Sequence, residues 1–146
     1  MVQRTQSDVA NTVRNIPETE KKSPAHVLVV DDERLVRWAV AETLGARGYR
    51  VSEAGDATSA MQAFGASERR ADLVLLDLVL PDSCDLGVLR FIRSCAPAIP
   101  VILMTAFATP DIIEQAFALG ALVMTKPFDM TVLATVVDRT VATGAP

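Results

Sequence analysis

Six residues could do chemistry together if the fold brought them to one place. In "VLVVDDERLV" (27–36) an aliphatic run meets three acids, Asp31, Asp32 and Glu33. Asp77 closes "DLVLLD", Thr105 closes "PVILMT", and Lys126 follows "ALVMT". Two carboxylates held about 5 Å apart repel by roughly 3 kcal/mol at an effective dielectric near 20, so a cluster of them demands a counter-ion. Hard oxygen donors with room for water suit Mg²⁺. A divalent ion, an ammonium and a hydroxyl around one carboxylate make a site for a phosphoryl group.

Such a site needs elements that end at a common edge. Five short aliphatic runs, at 26–30, 50–54, 72–77, 100–105 and 121–125, lack strand alternation and read as strands buried on both faces. Helical spacing fills the intervals. The first helix places Val36, Ala39, Val40, Thr43 and Leu44 on one side and ends at Gly45 and Gly48. The second spans about 57–66 with Ala60, Met61 and Phe64 inward, and the third runs near 86–94 on Leu86, Leu89 and either Val88 or Ile92. Thr109, Pro110 and Asp111 spell a helix start for the fourth. Its inward face is read as Ile113, Ala116 and Phe117, leaving Ile112 and Leu119 outward. The fifth follows Asp129 and turns Leu133, Val136 and Val137 inward. Five strand–helix alternations imply a parallel sheet covered on both faces, with its ligand site beyond the carboxyl ends of the strands.

The 146 residues suffice for one substantial core, built from aliphatic side chains because half the chain is hydrophobic and only 5% is aromatic. A formal net charge of −4 argues against a nucleic-acid footprint. No apolar run approaches the roughly 18 residues of a membrane span, and the first residues lack a secretory h-region. Cys84 and Cys95 are too few for a disulfide framework, so a cytoplasmic protein with reduced thiols is expected. Residues 1–24 read as a flexible polar tail, although Val9, Val13 and Ile16 sit at helical spacing. The domain proper is expected over 25–142, with a short tail at 143–146.

The combination "VVDDE", "LVLLDLVLP", "ILMTA" and "TKPFD" resembles the receiver domains of two-component response regulators over residues 26 to about 142. The stretch "VILMTAFATPDIIEQAFALGA" is most similar to receivers of the nitrogen-regulator type. The resemblance implies a flavodoxin-like doubly wound α/β fold with strand order 2-1-3-4-5 and five helices. It implies that Asp77 accepts a phosphoryl group from a histidine kinase or histidine phosphotransfer protein. Asp32, Asp77 and the backbone carbonyl of Val79 would ligate Mg²⁺, with Asp31 assisting through water. Lys126 would pair with a phosphoryl oxygen across a cis bond to Pro127, and Thr105 with the Ala106 N–H would bind the modified group. Glu33 is left to favour the first helix's dipole.

Some positions depart from the common pattern. Val123 stands where many receivers carry an aromatic switch residue, and the connection between the fourth helix and fifth strand is one residue short. Asp85 takes the place of a glycine in the loop after Asp77. Val79 and Phe107, two residues past Asp77 and Thr105, cannot activate water, so slow self-hydrolysis of the acyl phosphate is expected. Trp38, beside Arg34 and Arg37, points away from its helix's apolar side as an interface anchor. Ile112 and Leu119 are the other candidate contacts, for a downstream protein target or a homodimer through the fourth helix, fifth strand and fifth helix. With only 143–146 after the last helix, a stand-alone switch is expected, because an output domain needs at least about 50 residues. A phosphate sink or shuttle, and a Mg²⁺-dependent phosphohydrolase, are the alternatives.

Overall fold

The structure, a computed structural model, describes residues 23–66 and 70–144. The aliphatic runs form strands β1 (His26–Val30), β2 (Arg50–Ala54), β3 (Leu73–Asp77), β4 (Val101–Thr105) and β5 (Leu122–Thr125). Helices α1 (Arg34–Ala46), α2 (Ala57–Ala66), α3 (Gly87–Cys95), α4 (Pro110–Ala118) and α5 (Met130–Thr143) lie between and after them. All strands are parallel, in the order β2-β1-β3-β4-β5. The proposed amphipathic segment around Val9, Val13 and Ile16 lies outside the described residues.

Successive residues of a strand point to opposite faces, and the sheet uses this to divide its core. Val27, Val29, Leu73, Leu75, Ile102 and Met104 pack with Val40 and Leu44 of α1 and Leu133, Ala134 and Val137 of α5. Leu28, Val30, Val74, Leu76, Val101 and Leu103 pack on the other side with residues of α2, α3 and α4. Each fully buried Val or Leu contributes roughly 1.5–3 kcal/mol. Only β1, β3 and β4 are buried along their whole length; β2 and β5 are partly open, because an edge strand has one neighbour and less helix over it.

Side chains set the helix ends. Thr109 caps α4 by accepting from Ile112 N–H, and Asp129 caps α5 by accepting from the Thr131 and Val132 N–H groups. Gly48, at φ +91°, turns the chain from α1 into β2, a conformation that side chains with a Cβ adopt at a cost. At the far end of the sheet, Arg93 of α3 donates to the carbonyls of Ile99, Leu119 and Gly120, tying α3 to the turn before β5. Among the described residues no helix is long and apolar enough to cross a membrane.

The fourth helix is rotated from its expected setting. Ala116 is buried and Ile112 and Leu119 pack against the core, whereas Ile113 and Phe117 are 41% and 73% exposed. Residues 112, 116 and 119 form an i, i+4, i+7 stripe, which satisfies helical periodicity as well as the stripe through Ile113 and Phe117 does. Ile112 and Leu119 are therefore half-buried against the core, and the outward apolar residues of this helix are Ile113 and Phe117.

Candidate functional site

The carboxyl ends of β1, β3, β4 and β5 deliver Asp31, Asp77, Thr105 and Lys126 to one edge, as the alternation of strands and helices requires. Asp31 and Thr105 are fully buried and Asp77 nearly so, while Asp32 is exposed. One carboxylate oxygen from each of Asp31, Asp32 and Asp77 lies within 4.8 Å of the others. Lys126 Nζ donates to Asp31 Oδ2 at 2.6 Å and to Asp77 Oδ2 at 3.1 Å. A cleft of about 210 Å³ opens over the group, lined by Asp32, Glu33, Asp77, Val79, Ala106, Phe107 and Lys126.

The other oxygens are also spoken for. Asp77 Oδ1 accepts from Val79 N–H at 3.1 Å, and Asp31 Oδ1 accepts from Glu33 N–H at 2.9 Å. Thr105 Oγ1 accepts from Phe107 N–H at 2.9 Å, which orients its hydroxyl while leaving its proton to donate. Burial pushes the Asp77 carboxyl above its usual range, against the hydrogen bonds from Lys126 and Val79. Burial also works against the Lys126 ammonium, but its hydrogen bonds to Asp31 and Asp77 and their charges outweigh that, so its pKa is raised. The site therefore sets the lysine among acidic side chains, two of them buried.

That donor set fits a hard divalent cation. Asp31, Asp32 and Asp77 offer only oxygen, no sulfur or imidazole joins them, and one of the three faces solvent where water could complete the shell.

Two features depart from expectation. Glu33, read as a helix-dipole residue alone, places Oε1 3.5 Å from Lys126 Nζ and joins the rim of the cleft. It occupies the N-cap of α1 without a side-chain capping bond, which leaves its carboxylate free to turn toward the lysine. Asp85 does not take up a left-handed backbone; no non-glycine residue among those described has positive φ. Its Oδ1 instead accepts from Gly87 N–H at 2.8 Å, starting α3.

The loop after Asp77 also carries a bond that sequence reasoning missed. Asp82 reaches across to the start of α2 and accepts from Ala57 N–H at 2.7 Å, Thr58 N–H at 3.0 Å and Thr58 Oγ1 at 2.8 Å. Only "LPD" after a strand hinted at a capping aspartate, and nothing pointed to a helix 24 or 25 residues upstream. Val79, Phe107 and Trp38 are all exposed, Trp38 at 60%, and Leu35 beside it at 80%. The Lys126–Pro127 bond is cis, as the resemblance implied.

Residues 27–138 match the response regulator receiver domain family. The chain belongs to that family. Receiver domains are signalling switches of two-component systems that interact with histidine kinases or phosphotransfer proteins, and they are not enzymes in the ordinary sense. The receiver is 43% identical over 108 residues to the probable transcriptional regulatory protein TcrX of Mycobacterium tuberculosis, covering 73% of this chain and 45% of that one. It is 33% identical over 105 residues to sporulation initiation phosphotransferase F of Bacillus subtilis, covering 71% and 83% of the two chains. The structure of NtrX from Brucella abortus superposes with a TM-score of 0.74 at 33% identity, over 83% of this chain and 27% of that one. The nitrogen-regulator likeness read from "VILMTAFATPDIIEQAFALGA" is matched by such relatives. The receiver thus spans less than half the length of TcrX and NtrX, and most of the length of the sporulation phosphotransferase.

Proposed function

We propose that Asp77 is the phosphoacceptor of a phosphorelay and that its modification alters the contacts of the α4–β5–α5 face. The observation that carries this is the shared lysine: Lys126 bridges Asp77 to a fully buried Asp31 at the mouth of an otherwise acidic cleft. One Asp77 oxygen forms a P–O bond to the phosphorus of a phosphohistidine as the P–N bond breaks. The imidazole leaves with the bonding pair and takes up a proton. Asp32, Asp77 and the Val79 carbonyl would hold Mg²⁺, with Asp31 behind them, and when bound it supplies charge neutralisation on the phosphoryl oxygens. Lys126 pairs with one phosphoryl oxygen, and the Thr105 hydroxyl and Ala106 N–H donate to another. Those two donations exist only in the modified state and so can bias a two-state element.

The donor is a sensor histidine kinase or histidine phosphotransfer protein, for which Leu35 and Trp38, exposed on α1, are the candidate contacts. The reader of the signal is a protein target or a second copy that meets Ile113 and Phe117 on α4. A cytoplasmic setting goes with this reading, and both cysteines are free thiols. Incubation with acetyl phosphate and Mg²⁺ tests the whole. A single acid-stable, base-labile label, lost in Asp77→Ala, is the expected result. Sustained release of phosphate over many turnovers from small esters would instead mark a phosphohydrolase.

A further inference from the structure

Asp31 is held at all of its polar atoms. Its N–H donates to the Ala54 carbonyl at 3.1 Å, and its two carboxylate oxygens take the Glu33 N–H and Lys126. Its backbone carbonyl, the first past the end of β1, accepts from Arg37 Nη1 at 2.6 Å. Arg37 belongs to the first turn of α1, and its Nε lies 3.5 Å from Glu53 Oε1 on β2. Its guanidinium lies over Gly55, where a Cβ would come within 3.1 Å of Nη1. The arginine thus spans the ends of β1 and β2 beside Asp31, with its side chain only 18% exposed.

Asp32 presents the opposite case. It is exposed, and its carboxylate makes no hydrogen bond among the described residues. The backbone sets the direction of its Cα–Cβ bond, and that backbone begins at the peptide whose carbonyl Arg37 grips.

We propose that Arg37 is a positioning residue for the metal site: by fixing the Asp31–Asp32 peptide plane it aims Asp32 at a divalent cation without touching the ion. The proposal rests on the Mg²⁺ reading given above. Groups of this kind, one bond removed from the ligands, typically change metal affinity by 10- to 100-fold. A guanidinium in rigid contact with a carbonyl gives both charge assistance and direction, which an apolar side chain of similar length does not.

Calorimetric titration of the unphosphorylated protein with MgCl₂ is the direct test, on wild type, Arg37→Met and Arg37→Lys, with metal-free thermal melts alongside. Arg37→Met is expected to bind Mg²⁺ about tenfold more weakly while retaining a cooperative melt. Arg37→Lys, which keeps a donor, should fall between. Labelling of Arg37→Met by acetyl phosphate should return to the wild-type extent at high Mg²⁺, because Asp77 itself is untouched. Equal affinities in wild type and Arg37→Met, or a lysine variant no better than methionine, would overturn the role of Arg37 while leaving the phosphoacceptor reading standing. A wild-type protein that binds no Mg²⁺ would overturn both. Should the methionine variant fail to fold, the lysine variant carries the comparison, with a loss of a few-fold expected and no loss overturning the proposal.

Discussion

Lys126 sits closer to Asp31 than to Asp77, at 2.6 Å against 3.1 Å. The ammonium is thus anchored by the carboxylate that is fully buried and shared with the one that would react. Removing the lysine leaves Asp31 as an uncompensated buried charge, which costs about 3–5 kcal/mol when a buried pair is broken. Lys126→Met should lose about that much in urea unfolding, and Lys126→Met combined with Asp31→Asn should recover most of it. Additive losses in the double variant would show that the pair is not coupled.

Tyr49 offers a cleaner titration, since it is the single tyrosine of the chain. Burial, reinforced by the 2.6 Å hydrogen bond to Asp138 and that carboxylate's charge, pushes its phenol up to about 12. A raised pKa means the folded state holds the proton more tightly than the unfolded chain does. The stabilisation is whole below the ordinary value of 10.0 and drains away as pH rises from there to about 12. Tyrosinate absorbance should therefore rise with a midpoint near 12 in the native protein. In Asp138→Asn the midpoint should fall but stay above the ordinary value, because burial is the larger cause. Arg47, which also pairs with Asp138, should be kept in that experiment.

Asp82 ties the loop after Asp77 to α2 through its three accepted bonds. Hydrogen bonds from the Ala57 and Thr58 backbone hold its carboxyl below the usual range. The sign is opposite to that of Tyr49: this stabilisation is present at neutral pH and is lost as pH falls through the folded value. In Asp82→Ala the Ala57 and Thr58 amides should exchange with deuterium faster than in wild type, while those of α5 are unchanged. The same loss of protection, taken relative to each amide's intrinsic exchange rate at that pH, should appear in wild type under acid.

Val79 and Phe107 present apolar, exposed side chains over the cleft. Neither can take a proton from water, so the acyl phosphate should persist for minutes or longer once formed. Val79→Glu supplies a base and should shorten its life by about tenfold or more. Loss of label from the wild type within seconds at neutral pH would refute the expectation.

Where physics is local, the sequence was an adequate guide. All five strands lie within a residue of the aliphatic runs, and the caps at Thr109 and Asp129 stand where their side-chain chemistry put them. Asp31, Asp32, Asp77, Thr105 and Lys126 converge because parallel strands must end at one edge. The readings that failed depended on rotation or on distant partners. A nine-residue α4 supports two apolar stripes of equal merit, and only packing against the buried cluster on that side of the sheet selects Ile112 and Leu119 over Ile113 and Phe117. Glu33, Arg37 and Asp82 act through Lys126, a carbonyl and a helix start that no local pattern announces.

The strand order has a consequence for how the chain is made. β1 leaves the ribosome first yet lies between β2 and β3, and Asp31 at its tip meets Lys126 across 95 residues of chain. At synthesis rates of about 5–20 residues per second, that aspartate waits roughly 5–20 s for its cation. A nascent receiver therefore cannot close its acidic edge until the strand that carries Lys126 has been translated.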